Sequence, residues 1–185
     1  MQQTKQISNG WDLEQFKQTI ETVRDTPEAG KLRFRARFDW DGHFAGDGRT
    51  EGIEQMGEII PRGFTLRGDH PPELLGENSG PTAVETLLCA LGGCVGGTYA
   101  AHATAKGIDI ERLEVELDGG IDLSGFLRLS NIDPGLDVVR LKVRVKSDAT
   151  EEQLRDLLDV TRSASPVFDS LSRPVRIEPI IERMD

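Results

Sequence analysis

The sequence predicts an α+β fold built on an antiparallel sheet, and three observations carry that reading. Residues 31–40 and 137–146 alternate apolar with charged side chains, the period-two mark of half-buried strands. Residues 82–106 run as one long helix that is apolar nearly all round, the mark of a buried helix. A second helix and a closing strand follow, an order that suits helices packed against an antiparallel sheet. At 185 residues the chain is about one domain long and can bury a core without disulfides.

Within residues 10–25, Leu13, Phe16, Ile20 and Val23 recur at helical spacing, with Asn9 or Asp12 as cap and Pro27 and Gly30 at the exit. This helix is expected as an extra N-terminal extension over residues 1–30, packed through one stripe on a domain spanning residues 31–185. Leu32, Phe34, Ala36, Phe38 and Trp40 form the apolar face of the first long strand, and Asp41-Gly42 is expected to reverse it in a hairpin. Further strands are expected over residues 43–67, and a loop over residues 69–80, where prolines and glycines cluster. Pro81 suits the first turn of the long helix and Gly107 its end. Residues 112–117 read as a strand and residues 119–135 as a loop-rich insert before the strand at 137–146. Thr150, with Glu152 and Gln153, opens the second helix, which runs to about Ser163. Ser165-Pro166 interrupts it, because a proline ring collides with the preceding turn, and residues 167–171 continue briefly. Val175, Ile177, Ile180 and Ile181 are expected in a final edge strand around Pro179.

Lys plus Arg total 22 against 32 for Asp plus Glu, a net charge of −10 with a pI near 4.8. Such a surface repels phosphate backbones and anionic lipid heads, so nucleic acid and membrane are not expected partners. Gly and Thr interrupt the most apolar stretch, so no bilayer span is expected, and the first ten residues lack a signal core. A cytoplasmic protein is the expectation. The two cysteines, Cys89 and Cys94, lie five apart on the long helix. Five residues turn a side chain by about 140° net, so the thiols leave on different faces and no disulfide is expected. His43, His70 and His102 are scattered without ligand spacing, so neither a metal nor another cofactor is expected.

Cys94 is the leading candidate for chemistry. Gly92, Gly93, Gly96 and Gly97 bracket it, and each costs roughly 0.8–1 kcal/mol of helix propensity against Ala. Glycines tolerated at that cost mark a place where a ligand or another backbone comes close. A thiol reacts as thiolate and needs a cation or hydrogen-bond donor nearby, while the plainer alternative is a small side chain in a tight core. Cys89 reads as structural. Glu85 sits in the first turn, where a carboxylate complements the helix dipole, yet it enters a largely apolar helix that would ask for an Arg partner. His43 reads as a turn residue, and Arg49, like Arg33, Arg35 and Arg37, as part of an exposed sheet face.

The stretches SGPTAVETLLCALGGCVGG and SASPVFDSL, set among these strands and helices, resemble the OsmC/Ohr superfamily over residues 32–183. That resemblance implies an intertwined homodimer, with two long helices at its centre and a curved antiparallel sheet from each chain around them. It also implies reduction of organic hydroperoxides by a peroxidatic Cys, a resolving Cys and an Arg–Glu pair. Cys94 matches the peroxidatic position. The resolving position holds Ser165, so recycling would need an external thiol or Cys89 after local unwinding. Glu85 lies nine residues before Cys94, as in some branches of the family, whereas the hydroperoxide reductases place their Glu ten before, where this chain has Val84. Arg49 is the arginine nearest the first hairpin turn after His43. The resemblance thus implies a thiol-dependent peroxidase using Cys94, Glu85 and Arg49, with His43, Leu91, Ser165 and Val167 lining the substrate site. The alternative is a non-catalytic module that holds a lipid-like or aromatic small molecule on the same scaffold.

Overall fold

A computed structural model of the chain describes residues 6–184, which fall into two units dividing after Leu87. The first unit opens with a short antiparallel pair, β1 (Ile7–Ser8) and β2 (Trp11–Asp12), leading into helix α1 (Leu13–Asp25). Asp12 caps α1 by accepting hydrogen bonds from the backbone N–H groups of Glu14 at 3.1 Å and Gln15 at 3.3 Å. The expected stripe is present, but no residue of α1 is buried, and Ile20 is 42 % exposed.

Strands β3 (Leu32–Gly42) and β4 (Ala45–Gln55) form a long hairpin, and β5 (Glu58–Ile60) and β6 (Thr65–Gly68) both pair with β4. All pairings are antiparallel. The reversal lies later than Asp41-Gly42: Gly42 already pairs with Ala45, and the chain turns at His43 and Phe44. Gly42 and His43 both take positive φ, and the Trp40 indole N–H donates to the His43 carbonyl at 3.0 Å, which holds the longer turn closed. Register slips between Arg35 and Ala36, where Glu51 is the extra residue on β4 and Gly52 adopts φ +118°. A Cβ at Gly52 would also sit 2.9 Å from Ile59 Cγ2, so the bulge needs glycine for both reasons. The apolar face of β3 departs from expectation, since Phe34 and Trp40 are each 70 % exposed. Their alternation marks a strand, but nothing among the described residues covers it.

The loop over residues 69–80, which contains a short 3-10 turn (Pro72–Leu74), is organised by one carboxylate. Asp69 is 1 % exposed and accepts from the backbone N–H groups of His70, Glu77 and Ser79 and from the Ser79 hydroxyl, at 2.7–3.1 Å. Ser79's two bonds, followed by those from His70 and Glu77, hold its carboxyl far below the usual carboxylate range.

Helix α2 (Ala83–Ala105) begins at the end of the first unit and continues into the second. The second unit adds β7 (Arg112–Gly119), the short α3 (Leu123–Phe126), β8 (Val139–Lys146), α4 (Glu151–Ala164) and α5 (Pro166–Ser172). β7 and β8 pair antiparallel without a slip, from Arg112 opposite Lys146 to Gly119 opposite Val139. The core lies between these strands, α2 and α4, centred on Tyr99, Ala103, Ile108 and Leu157 with Leu113, Val143 and Leu154 packed around them. The Tyr99 hydroxyl donates to the Leu154 carbonyl at 3.1 Å, and burial raises its pKa. Thr150 and Gln153 cap α4 reciprocally, as the sequence predicts.

Three expectations need correction here. α2 buries only one stripe, Leu91, Val95, Tyr99 and Ala103 at strict i, i+4 spacing together with Thr104, while Gly93 and Gly97 face open space. By length and composition α2 would suit a bilayer span, because its alanines and leucines outweigh the glycines expected to disqualify it. No strand forms over residues 173–184, where Ile177 is 84 % and Ile181 96 % exposed. Pro174 and Pro179 remove two backbone donors from that segment, and no described strand pairs with it.

Candidate functional site

Cys94 sits midway along α2, one residue before the buried Val95, and is itself partly exposed. Its sulfur accepts a hydrogen bond from the Ser165 hydroxyl at 3.1 Å. Ser165 is fully buried at the junction of α4 and α5. The following Pro166 forces it out of helical geometry, to φ −78° and ψ 115°, and this breaks the helix beside Cys94. Its backbone stays anchored on both sides: the N–H donates to Thr161 O, and the carbonyl accepts from Asp169 N, each at 2.9 Å. Val167, two residues further on within α5, is half-buried, and Leu91 is core at 4 % exposure.

Cys89 leaves α2 on another face, as the five-residue spacing requires, and both thiols are free. Cys89 lines an open groove of about 490 Å³ with Leu88, Gly92, Gly96, Val115 and Leu117. Gly92 acts by close approach, since a Cβ there would lie 2.9 Å from Leu117 Cδ1, while one at Gly96 would meet Val115 Cγ2 at an ordinary 3.7 Å. Small residues on α2 therefore serve the packing of β7 on one side and leave room on the other.

In the first unit, Glu85 is engaged with its own helix. Its carboxylate accepts from the Thr82 backbone N–H at 2.7 Å and hydroxyl at 2.8 Å, while Thr82 Oγ1 accepts from the Glu85 N–H, a reciprocal cap. Thr82's bonds, and after them the charge of His70, lower the Glu85 pKa. Arg49 is exposed on β4, 3.8 Å from Asp47, and His43 is exposed in the hairpin turn. Glu85 and Arg49 do not pair with each other. Arg67, which the sequence reading passed over, is the arginine held from several sides. It pairs with Asp41 and with Asp47 at 3.5 Å, and its Nε donates to Ser79 Oγ at 3.2 Å. The Asp41 bond chiefly raises its pKa. The available signal was its position two residues before Asp69, at the mouth of the proline- and glycine-rich loop. His70 stacks on Phe44, with ring centroids 4.2 Å apart. Among the described residues no group of His, Cys, Asp or Glu gathers as metal ligands do.

The model of the OsmC-like protein family matches residues 76–179, more than half of the 185-residue chain. The chain belongs to the OsmC-like family. The match takes in Glu85, Cys94 and Ser165 and leaves His43 and Arg49 outside it. Among solved structures, an OsmC-like protein from Mycoplasma pneumoniae is 20 % identical, with a TM-score of 0.56 over 77 % of this chain and 87 % of that one. An organic hydroperoxide resistance protein OsmC from Legionella pneumophila is 14 % identical, with a TM-score of 0.55 over 75 % of this chain and 88 % of that one. At these identities the likeness is one of fold: the α+β architecture with antiparallel sheets and a long central helix is the OsmC-like one. No curated protein matches the sequence.

Proposed function

We propose that this OsmC-like chain is a cytoplasmic, thiol-dependent peroxidase that reduces organic hydroperoxides through Cys94, as a homodimer and with an external thiol as reductant. The observation that carries this reading is Cys94, a half-buried residue in mid-helix whose sulfur has a buried O–H donor 3.1 Å away. The Legionella relative, an organic hydroperoxide resistance protein, suggests the substrate class.

The reaction balances with two equivalents of external thiol. The Cys94 thiolate attacks the distal oxygen of the hydroperoxide, the O–O bond breaks, and alkoxide leaves to be protonated as alcohol, giving Cys94 sulfenic acid. One thiol condenses with the sulfenic acid, releasing water and forming a mixed disulfide. A second thiolate attacks that disulfide, releasing the oxidised reductant and the Cys94 thiolate. Cys89 and Cys94 are the chain's only cysteines and lie on different faces of α2, which supports an external rather than an internal resolving thiol. The exposed Phe34, Phe38 and Trp40 on β3 support the homodimer, because an apolar face of that size is normally covered.

A second reading has its own support: the groove beside Cys89 is apolar, of ligand size, and does not include Cys94. A small-molecule binding protein without turnover would use it. Consumption of cumene hydroperoxide with dithiothreitol separates the two. Turnover that is abolished in Cys94→Ser and retained in Cys89→Ser is the peroxidase outcome. Wild type that binds an apolar fluorophore, loses binding in Gly92→Leu and consumes no peroxide is the binding-protein outcome.

A further inference from the structure

A serine just before the first residue of a helix ordinarily turns its oxygen back to accept from the helix's own free N–H groups. Ser165 holds that position before α5, yet its side chain makes no capping bond. Its hydroxyl points instead at the Cys94 sulfur, 71 residues away in sequence. The residue is fully buried, its backbone is anchored by the bonds to Thr161 and Asp169, and Pro166 fixes its extended geometry. The hydroxyl is therefore aimed by construction.

We propose that Ser165 is a working part of the thiol site: its hydroxyl donates a hydrogen bond to the Cys94 thiolate, orienting the reactive sulfur and steadying its negative charge. Three chemical states of the sulfur make the same demand. A thiolate has no proton and can only accept. A sulfenic acid offers lone pairs on sulfur and oxygen, and a mixed disulfide again only accepts. One fixed O–H donor serves all three without rearrangement, and it brings no second thiol that would carry the sulfenic acid on to an intramolecular disulfide. A hydrogen bond to a charged acceptor contributes more than one between neutral groups, so losing it should slow thiolate chemistry about tenfold.

The proposal rests on Cys94 being the reactive thiol of the proposed function, so its test uses a reaction that needs no peroxide. Alkylation of Cys94 by iodoacetamide at neutral pH is followed by peptide mass spectrometry in wild type, Ser165→Ala and Ser165→Thr, with circular dichroism to verify folding. Ser165→Ala should slow alkylation about tenfold, and Ser165→Thr, which keeps the hydroxyl, should restore most of the rate. A serine that merely filled space would give the opposite sign, because its loss opens the site and speeds alkylation. An unchanged or faster rate in Ser165→Ala, or equal slowing in a folded Ser165→Thr, overturns the assignment. Peroxide turnover on the same samples separates the two claims. Slowed alkylation in Ser165→Ala with no wild-type turnover keeps the Ser165 assignment and removes the peroxidase. Wild-type turnover with unchanged Ser165→Ala alkylation does the reverse.

Discussion

Ser165 and Cys94 meet where α4 ends: the Ser165 N–H still bonds to Thr161 O as in a helix, Pro166 turns the chain away after it, and the serine hydroxyl stands 3.1 Å from the sulfur. That contact gives a geometric prediction. A thiol at position 165 would stand close enough for the roughly 2.05 Å S–S bond to form with little movement. Ser165→Cys treated with one equivalent of peroxide should lose two free thiols by thiol titration, where wild type loses one. Both residues were visible in the sequence, Cys94 through its glycine bracket and Ser165 through the proline. Their pairing follows from the family resemblance, which sets Ser165 at the resolving position beside Cys94, and from no local pattern, because 71 residues separate them. Arg67 was missed for a related reason: its partners Asp41 and Asp47 lie on β3 and β4, and the pairing of β6 with β4 and of β4 with β3 brings them to it.

At the scale of elements, the loop over residues 69–80 depends on the ionised form of one side chain. The folded-state pKa of Asp69 is depressed, so its contribution is fully present above the ordinary carboxylate value of about 3.9 and is lost as pH falls below it. Hydrogen-exchange protection at the Glu77 and Ser79 amides should therefore hold from pH 7 to about pH 4 and decline beneath. In Asp69→Asn protection should be lower throughout and lack that decline. In the second unit, Leu157 is fully buried among Tyr99, Ala103 and Ile108, so Leu157→Ala should cost about 2–5 kcal/mol in denaturant unfolding. Helices and long strands were legible because caps and periodicity are local: the Thr150–Gln153 cap and the β7–β8 alternation sit where the sequence puts them. The hairpin turn moved because Gly42 tolerates a paired, positive-φ geometry that a turn signal does not distinguish. The expected final strand is absent although Pro179 was given an edge position, because Pro174 removes a second backbone donor from the same short segment.

For the whole molecule, the chain leaves apolar surface that its own described residues do not cover. Phe34, Phe38 and Trp40 lie on one face of β3, and Gly93 and Gly97 lie on the open side of α2. Alternation along β3 states that one face seeks apolar company, and it cannot state whether that company comes from the same chain. The proposed homodimer would supply it. Analytical ultracentrifugation at micromolar concentration should give twice the 20.4 kDa chain mass. Phe34→Glu together with Trp40→Glu should shift the species toward monomer while leaving the helical signal in place. A wild-type monomer would contradict this account of the β3 face.

The central claim is that Cys94 is the thiol that meets the peroxide, and its first product is the most direct witness. Wild-type protein is mixed with one equivalent of cumene hydroperoxide in the presence of dimedone, and the adducts are mapped by peptide mass spectrometry. The account predicts a single dimedone adduct on Cys94 and an unmodified Cys89. Peroxide left unconsumed with both thiols intact, or an adduct confined to Cys89, would contradict it.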